Sequence, residues 1–253
     1  MRQFTITCNT LLLLVALSGS LPAADPVPGT QTAQEFTFKV KVDGELRESV
    51  VHYWLFVPEQ YDDTKKLPLM LFMHGAGERG DDLDLVKKWG PPKIVAGRKD
   101  FPFVVASPQC ASGKRWDVAA MAALVDDLAG RLSVDKERMY VTGLSMGGYG
   151  SWQMLARYPR LFAAAVPICG GGDPKSAAAI KDIPIWAFHG DKDTAVPLSR
   201  SQQMIDAITE AGGEKAKLTV YPGVGHNSWS ATYANQKVYD WLLTHRRGKK
   251  RPK

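Results

Sequence analysis

The stretch Gly143-Leu144-Ser145-Met146-Gly147 decides the fold of this 253-residue chain. It follows an apolar run at 138–142 and precedes a segment, 148–158, whose apolar residues have helical spacing. A Gly-x-Ser-x-Gly motif between a strand and a helix is typical of a sharp, strained turn at the serine, where the flanking glycines leave room for the backbone. The motif therefore predicts a strand, turn and helix with Ser145 at the turn as a candidate nucleophile.

An acid and a histidine follow the serine of the motif along the chain, in that order. A serine hydroxyl is a weak nucleophile at neutral pH, so it needs a base and a group that orients the base. The segment 189–197 (HGDKDTAVP) predicts a loop after a strand, and we choose Asp193 over Asp191 as the acid. The glycine-rich loop 222–229 lets His226 reach the serine as the general base. Structural roles are predicted for the other histidines: His52, His74, His189 and His245.

A second glycine-rich turn offers donors for the negative charge that develops on a carbonyl oxygen under attack. The buried-type strand 67–73 ends in the turn 74–80 (HGAGERG). Backbone N–H groups held in place before the reaction are the usual donors, from such a turn and from the residue after the serine. We therefore predict an oxyanion hole formed by the N–H groups of Ala76 and Met146.

Four further residues near these turns are weaker candidates for substrate binding. Gly77 and Arg79 lie in the predicted oxyanion turn, Trp116 lies in a loop after a strand, and Trp229 follows the proposed base. A place in the core is an equally good interpretation for either tryptophan, and an ion pair with Glu78 is the alternative for Arg79. No metal or cofactor is predicted, because the histidines and carboxylates lack a paired ligand spacing such as His-Glu-x-x-His.

With these motifs in place, the chain resembles the α/β-hydrolase superfamily over nearly its whole length, from about residue 35 to 247. The segments 67–82, 103–110, 138–172 and 186–197 are similar to the bacterial group labelled predicted peptidases or phospholipase/carboxylesterase-like proteins. Polyhydroxybutyrate-depolymerase-like proteins and feruloyl or acetyl xylan esterases are similar but more distant.

The resemblance implies an α/β-hydrolase fold, with a mostly parallel eight-stranded sheet and helices on both faces. Ser145, Asp193 and His226 would fill the triad positions of a serine carboxyl-ester hydrolase. It would act through an acyl-enzyme on short-acyl or carbohydrate-linked acetyl or feruloyl esters, either as small molecules or on a polymer. Too few residues separate the strands around 169–183 for an inserted lid domain, which predicts an open site. A peptidase of the prolyl-oligopeptidase type and a non-catalytic binding member of the fold stay open as alternatives.

Length and composition predict one domain. The 45% hydrophobic content suits a single core, which we assign to 25–247. The net charge of +6 equals the contribution of six basic residues at the C-terminus, so the rest of the chain is near neutral. These residues are Arg246, Arg247, Lys249, Lys250, Arg251 and Lys253. The segment 248–253 is predicted to be a disordered tail, and no nucleic-acid partner is assigned.

The first residues predict export. A basic start, a short apolar stretch and small residues near 23–24 indicate a signal peptide over 1–24, hence a secreted or periplasmic protein without membrane insertion. Its removal leaves Cys110 and Cys169. Two intervening strands would hold these residues about 14 Å apart, so two free buried thiols are expected, with a disulfide through loop movement as the alternative. The sequence leaves the oligomeric state open.

Overall fold

The computed structural model describes residues 25–42 and 45–248, and for residues 40–42 it describes the backbone alone. The predicted signal peptide and the predicted tail after its first residue, Gly248, lie outside the described residues. Among the helices that the structure describes, none combines the length and the apolar character that a membrane span requires.

The described residues form one mixed sheet of eight strands. The strands are β1 (Gln31–Val42), β2 (Glu45–Phe56), β3 (Leu67–Met73), β4 (Val104–Pro108), β5 (Val134–Leu144), β6 (Ala164–Ile168), β7 (Ile185–Gly190) and β8 (Ala216–Tyr221). Their order in the sheet is β1-β2-β4-β3-β5-β6-β7-β8. Strand β2 is antiparallel to both of its neighbours, and all other pairs are parallel. The predicted eight-stranded, mostly parallel sheet is confirmed.

Helices connect the parallel strands, because a parallel pair needs a crossover connection. Within the described residues they are α1 (Gly90–Val95), α2 (Val118–Arg131), α3 (Met146–Arg157), α4 (Ala177–Ile180), α5 (Ser199–Glu210), α6 (Trp229–Ala234) and α7 (Gln236–Leu243). Short 3-10 turns lie at Ala76–Glu78, Leu83–Lys88 and Pro174–Ser176. Between β6 and β7 the chain forms only the third of these turns and α4, and the absence of a lid stays a prediction.

The last helix differs from its predicted form. The apolar spacing over residues 231–246 predicts a single helix, but the chain forms α6 and α7 with a break at Asn235. Asn235 has an extended backbone, with φ −87° and ψ 106°, and its side chain accepts the N–H of Lys237 at 3.1 Å. An asparagine that caps a new helix in this way ends the preceding one, because its backbone leaves the helical region.

The sheet is buried on both faces, and strand β3 shows how. Leu69, Leu71 and Met73 belong to the hydrophobic cluster that contains residues of α2, α3 and α5. The alternate residues Met70 and Phe72 belong to the cluster on the other face, with residues of α1 and α7. Side chains alternate across a strand, so an apolar run such as this one needs helices on both sides. Each such side chain stabilises the fold by about 1.5–3 kcal/mol on burial.

The two cysteines of the described region are free and buried, as expected. Cys110 follows β4 and Cys169 follows β6, and the sheet order places β3 and β5 between these strands. The separation of the two strands therefore accounts for the free thiols, because a disulfide needs its Cα atoms within about 7 Å.

Close backbone packing surrounds the predicted turn at Ser145. A Cβ atom at Gly147 would lie 1.9 Å from the carbonyl oxygen of Met73, and one at Gly143 would lie 2.4 Å from the carbonyl oxygen of Gly147. Only glycine fits at either position without moving main chain, which is the physical reason for the motif. The contact locks the start of α3 against the end of β3.

We predict that Gly147→Ala lowers the free energy of unfolding by at least about 3 kcal/mol, because the new methyl group meets backbone that cannot move aside. Gly130→Ala in α2 is the matched control. No atom lies within 4 Å of a Cβ at Gly130, so this change should be neutral or stabilise the protein by up to about 1 kcal/mol. Urea denaturation of the two variants makes the comparison, and equal stability of both would contradict the packing argument.

Candidate active site

Ser145 lies at the turn between β5 and α3, where the motif predicted it. Its backbone has φ 52° and ψ −113°, a conformation that non-glycine residues rarely adopt. The Ser145 N–H donates to the carbonyl of Ile168 at 3.0 Å, which ties the turn to the neighbouring strand. The side chain is half-buried and therefore reachable from solvent.

His226 bridges Ser145 and Asp193. Its Nε2 lies 2.9 Å from the Ser145 Oγ, and its Nδ1 lies 2.7 Å from the Asp193 Oδ2. A carboxylate at Nδ1 can only accept, so Nδ1 carries the proton and Nε2 accepts from the serine hydroxyl. The structure thus brings the predicted nucleophile, base and acid into one hydrogen-bonded chain, in the geometry that general-base activation of a serine requires.

The Asp193 side chain is fully buried, and both of its oxygens are used. Oδ1 accepts the N–H groups of Ala195 at 2.9 Å and Val196 at 2.8 Å, while Oδ2 faces the proposed base. Asp191 lies in the same loop but accepts the N–H of Gly223 at 2.7 Å and makes no contact with the array. The choice between the two acids therefore has a geometric basis.

Ala76 and Met146 each begin a helical turn. Ala76 is the first residue of the 3-10 turn Ala76–Glu78, and Met146 is the first residue of α3. The N–H groups at such positions have no acceptor inside their own helix, so they are available to a ligand. The two turns are close, because a Cβ at Gly75 would lie 3.6 Å from the Ser145 Cβ. The start of α3 also adds the positive end of its helix dipole.

His74 fixes the shape of the turn that carries Ala76. It is buried, its Nε2 accepts the N–H of Cys110 at 3.0 Å, and its Nδ1 therefore donates to the Gly75 carbonyl at 2.7 Å. Burial lowers the pKa of the His74 imidazole, which keeps it neutral and allows one nitrogen to accept. Its structural assignment from sequence agrees with these contacts.

Arg79 and Trp116 also hold this turn. The Arg79 guanidinium donates to the carbonyls of Ala76 at 3.0 Å and Lys114 at 3.1 Å, so it joins two loops. Glu78 accepts the N–H of Gly75 at 3.1 Å, and no ion pair with Arg79 occurs among the described residues. Trp116 is only 7% exposed. Its Nε1 donates to the His74 carbonyl at 3.2 Å. We therefore assign Arg79 and Trp116 to the support of the turn, whereas Gly77 is exposed beside it.

An aromatic wall stands beside the proposed base. The Trp229 ring meets the His226 ring edge to face at 5.2 Å, and the Trp89 ring meets Trp229 at 6.0 Å. Both tryptophans are half-buried. Trp89 was missed from the sequence because it lies far from the triad along the chain and belongs to no motif. Its position just before α1 was the only available signal.

A second layer lies behind the array, formed by His189, for which the sequence predicts a structural role, and by Cys169, for which it predicts a free buried thiol. His189 Nε2 lies 3.2 Å from the Asp193 Oδ2, and the thiol sulfur of Cys169 lies within 4.8 Å of ligand atoms of Asp193 and His226. Cys169 has φ 40°, and besides Ser145 it is the one non-glycine residue with positive φ in the part of the chain that the structure describes. Burial raises the pKa of this thiol to about 12.

The Cys169 sulfur, an Asp193 oxygen and a His226 nitrogen lie close enough together to be compared with a metal site. The nitrogen of His226 and the oxygen of Asp193 are 2.7 Å apart, whereas two ligands of a tetrahedral zinc stand roughly 3.3 Å apart. The pair therefore shares a proton rather than a cation, and the deeply buried, protonated thiol of Cys169 is a poor ligand at neutral pH.

The fold and this arrangement of side chains are those of an α/β-hydrolase. A model of the dienelactone hydrolase family matches residues 109–240, just over half of the chain. The chain belongs to the dienelactone hydrolase family.

Several similar proteins carry the names of ester-cleaving enzymes. Probable feruloyl esterase C of Aspergillus niger is 22% identical over 236 residues, which cover 90% of this chain and 84% of that protein. Poly(3-hydroxyalkanoate) depolymerase C of Paucimonas lemoignei is 42% identical over 129 residues, covering 51% of this chain but only 30% of the longer relative. A crystal structure of a thermostable esterase superposes with a TM-score of 0.70 at 36% identity, over 84% of this chain and 63% of that one. The family and these relatives identify a carboxylesterase-type hydrolase.

We predict that Asp193→Asn lowers kcat/KM for an aryl ester by about 10³–10⁴-fold, because an amide in place of the carboxylate favours the wrong imidazole tautomer. Asp191→Asn, the matched control two residues away, should lower it by less than about tenfold, since it only weakens a loop contact. Steady-state hydrolysis with both variants tests the choice of acid, and a larger loss in Asp191→Asn would reverse it.

We predict that iodoacetamide at mildly alkaline pH leaves esterase activity unchanged. Cys169 is inaccessible, and its thiol stays protonated well above neutral pH because its pKa is raised to about 12. Activity is followed over time in the parent and in Cys169→Ser, which keeps a small donor at this position. Rapid inactivation of the parent, with resistance of the serine variant, would contradict the burial argument.

Proposed function

We propose that the protein is a serine carboxylesterase that works through an acyl-enzyme. The observation that carries this proposal is the unbroken chain of hydrogen bonds from the Ser145 Oγ through both nitrogens of His226 to the Asp193 carboxylate. Nothing else in the described site combines a half-buried hydroxyl with a base in contact and a buried acid behind it. The proposed roles are nucleophile for Ser145, general base for His226 and orienting acid for Asp193.

The proposed reaction proceeds in two halves. In the first, the Ser145 Oγ attacks the ester carbonyl while His226 takes the hydroxyl proton, and the N–H groups of Ala76 and Met146 stabilise the oxyanion. His226 then gives its proton to the departing alkoxide, which leaves as the alcohol. In the second half, His226 takes a proton from water, the hydroxide attacks the acyl-enzyme, and the Ser145 oxygen leaves with the returned proton. Each oxyanion donor contributes about 3 kcal/mol of transition-state stabilisation.

Short-acyl esters and acetyl or feruloyl esters of carbohydrates are the proposed substrates. The wall of Trp89 and Trp229 beside the base supports this class, because flat aromatic surfaces pack against both aromatic acyl groups and the apolar faces of sugar rings. The names of the relatives support it independently. The half-buried position of Ser145 also suits an ester that hangs from a polymer.

The proposed setting is outside the cytoplasm. The support for it is the basic, apolar and small-residue pattern of residues 1–24, which is the pattern of a cleaved export signal. An exported enzyme would meet polymer-linked esters directly.

We predict that Ser145→Ala lowers kcat/KM for an aryl acetate by at least about 10⁴-fold while the melting temperature stays close to that of the parent. A fluorophosphonate should label the parent at Ser145 and leave the variant unlabelled. Comparison of aryl acetate with methyl ferulate on the parent then separates acetyl from feruloyl preference.

Two outcomes would overturn this proposal. Release of amines from short peptide amides, with no ester hydrolysis, would favour the peptidase alternative. Absence of both label and turnover would favour a binding member of the fold.

A further inference from the structure

A groove of about 1100 Å³ lies at the edge of the sheet opposite the candidate active site. Its lining includes 162–163, 182–184 and Lys215, which stand immediately before β6, β7 and β8. Ser145 and Asp193 follow the other ends of parallel strands. Because β7 has six residues, roughly 20 Å of strand separates the two edges at 3.3 Å per residue. The groove is therefore a separate place on the molecule.

The acidic residues of this groove are already paired. Glu137 accepts Arg246 at 3.0 Å, and Asp182 is 3.2 Å from the ammonium of Lys181. A further acid at this edge, Asp135, is held by Arg246 at 3.1 Å. An incoming anion would therefore not meet an uncompensated carboxylate here.

Two cationic side chains of the groove have no ion-pair partner among the described residues. Arg160 and Lys215 line it and are exposed, and neither takes part in an ion pair within 25–42 and 45–248. Lys217 lies nearby. Burial, and then the ammonium groups of Lys215 and Lys217, lower the pKa of the His245 imidazole in the same wall. The field in the groove is thus positive, and it favours a negatively charged occupant.

Apolar side chains line the same groove as these charges. Pro159 and Pro184 line the groove and are half-buried. Gly248 lines it at the point where the chain continues into a basic sequence. The charged residues that follow are Lys249, Lys250, Arg251 and Lys253. Exposed cations and partly exposed proline rings in one groove suit a polymer whose rings carry both a negative charge and an apolar face.

We propose that this groove binds a carboxylated polysaccharide, such as a chain of uronic acid residues. Each sugar offers a carboxylate to Arg160 or Lys215 and an apolar ring face to the prolines, whereas the close phosphates of a nucleic acid demand a denser row of cations. The groove keeps the polymer attached while its ester groups reach Ser145, which raises their local concentration at the active site. This last step rests on the proposed function, but the binding itself does not.

The test measures retardation of the full chain in gels that contain polygalacturonate, at low and at raised salt. Arg160→Ala/Lys215→Ala should weaken binding at least about tenfold and reduce its salt dependence. The matched control is Arg47→Ala/Lys175→Ala, which removes the same charge from exposed positions outside the groove. All three proteins should hydrolyse a soluble aryl acetate with equal kcat/KM, while the groove variant alone loses kcat/KM on an esterified acidic polymer.

Several results would overturn the groove proposal. If polygalacturonate does not retard the parent, or if the control variant loses as much binding as the groove variant, no specific site exists. Tighter binding of polyphosphate or of anionic lipid vesicles would assign a different partner. If a chain that ends at Gly248 loses all binding while Arg160→Ala/Lys215→Ala binds normally, the binding belongs to the tail alone. A parent that binds the polymer but fails to hydrolyse aryl acetate would instead contradict the proposed function and leave the groove intact.

Discussion

The approach of the Gly147 backbone to the Met73 carbonyl is the contact on which the rest of this structure depends. It joins the ends of two neighbouring strands, β3 and β5, to the start of α3, and a side chain at Gly147 would force them apart. The tight turn in turn holds Ser145 in a conformation that costs about 1–3 kcal/mol. Burial of β3 on both faces offsets that cost, so the strained turn and the two-sided core belong to one design.

A second residue with positive φ lies at the same edge of the sheet. Strands β5 and β6 are in register at Leu144 and Ile168, and each is followed by a residue with positive φ, Ser145 and Cys169. The two strands therefore end at the same level of the sheet. Beside this edge, backbone N–H groups hold Oδ1 of Asp193, and its Oδ2 orients the His226 imidazole.

Local chemistry decided what the sequence could predict. The order of the strands' apolar runs, the glycines around Ser145 and the order of acid and histidine are all properties of short segments, and they led to the fold and to the array of Ser145, Asp193 and His226. Contacts between distant segments that carry no motif could not be predicted. Trp89 meets Trp229 only through packing of α1 against α6, and the burial of Trp116 depends on its fit beneath His74. The break at Asn235 was missed because the apolar spacing continues through it while the backbone does not.

The two free thiols have a consequence for how the described part of the chain is held together. Cys110 and Cys169 follow strands that the sheet keeps apart, so no disulfide links the residues that the structure describes. The fold of the described residues is therefore held by packing and hydrogen bonds alone, and a reducing agent has no covalent link to break within them.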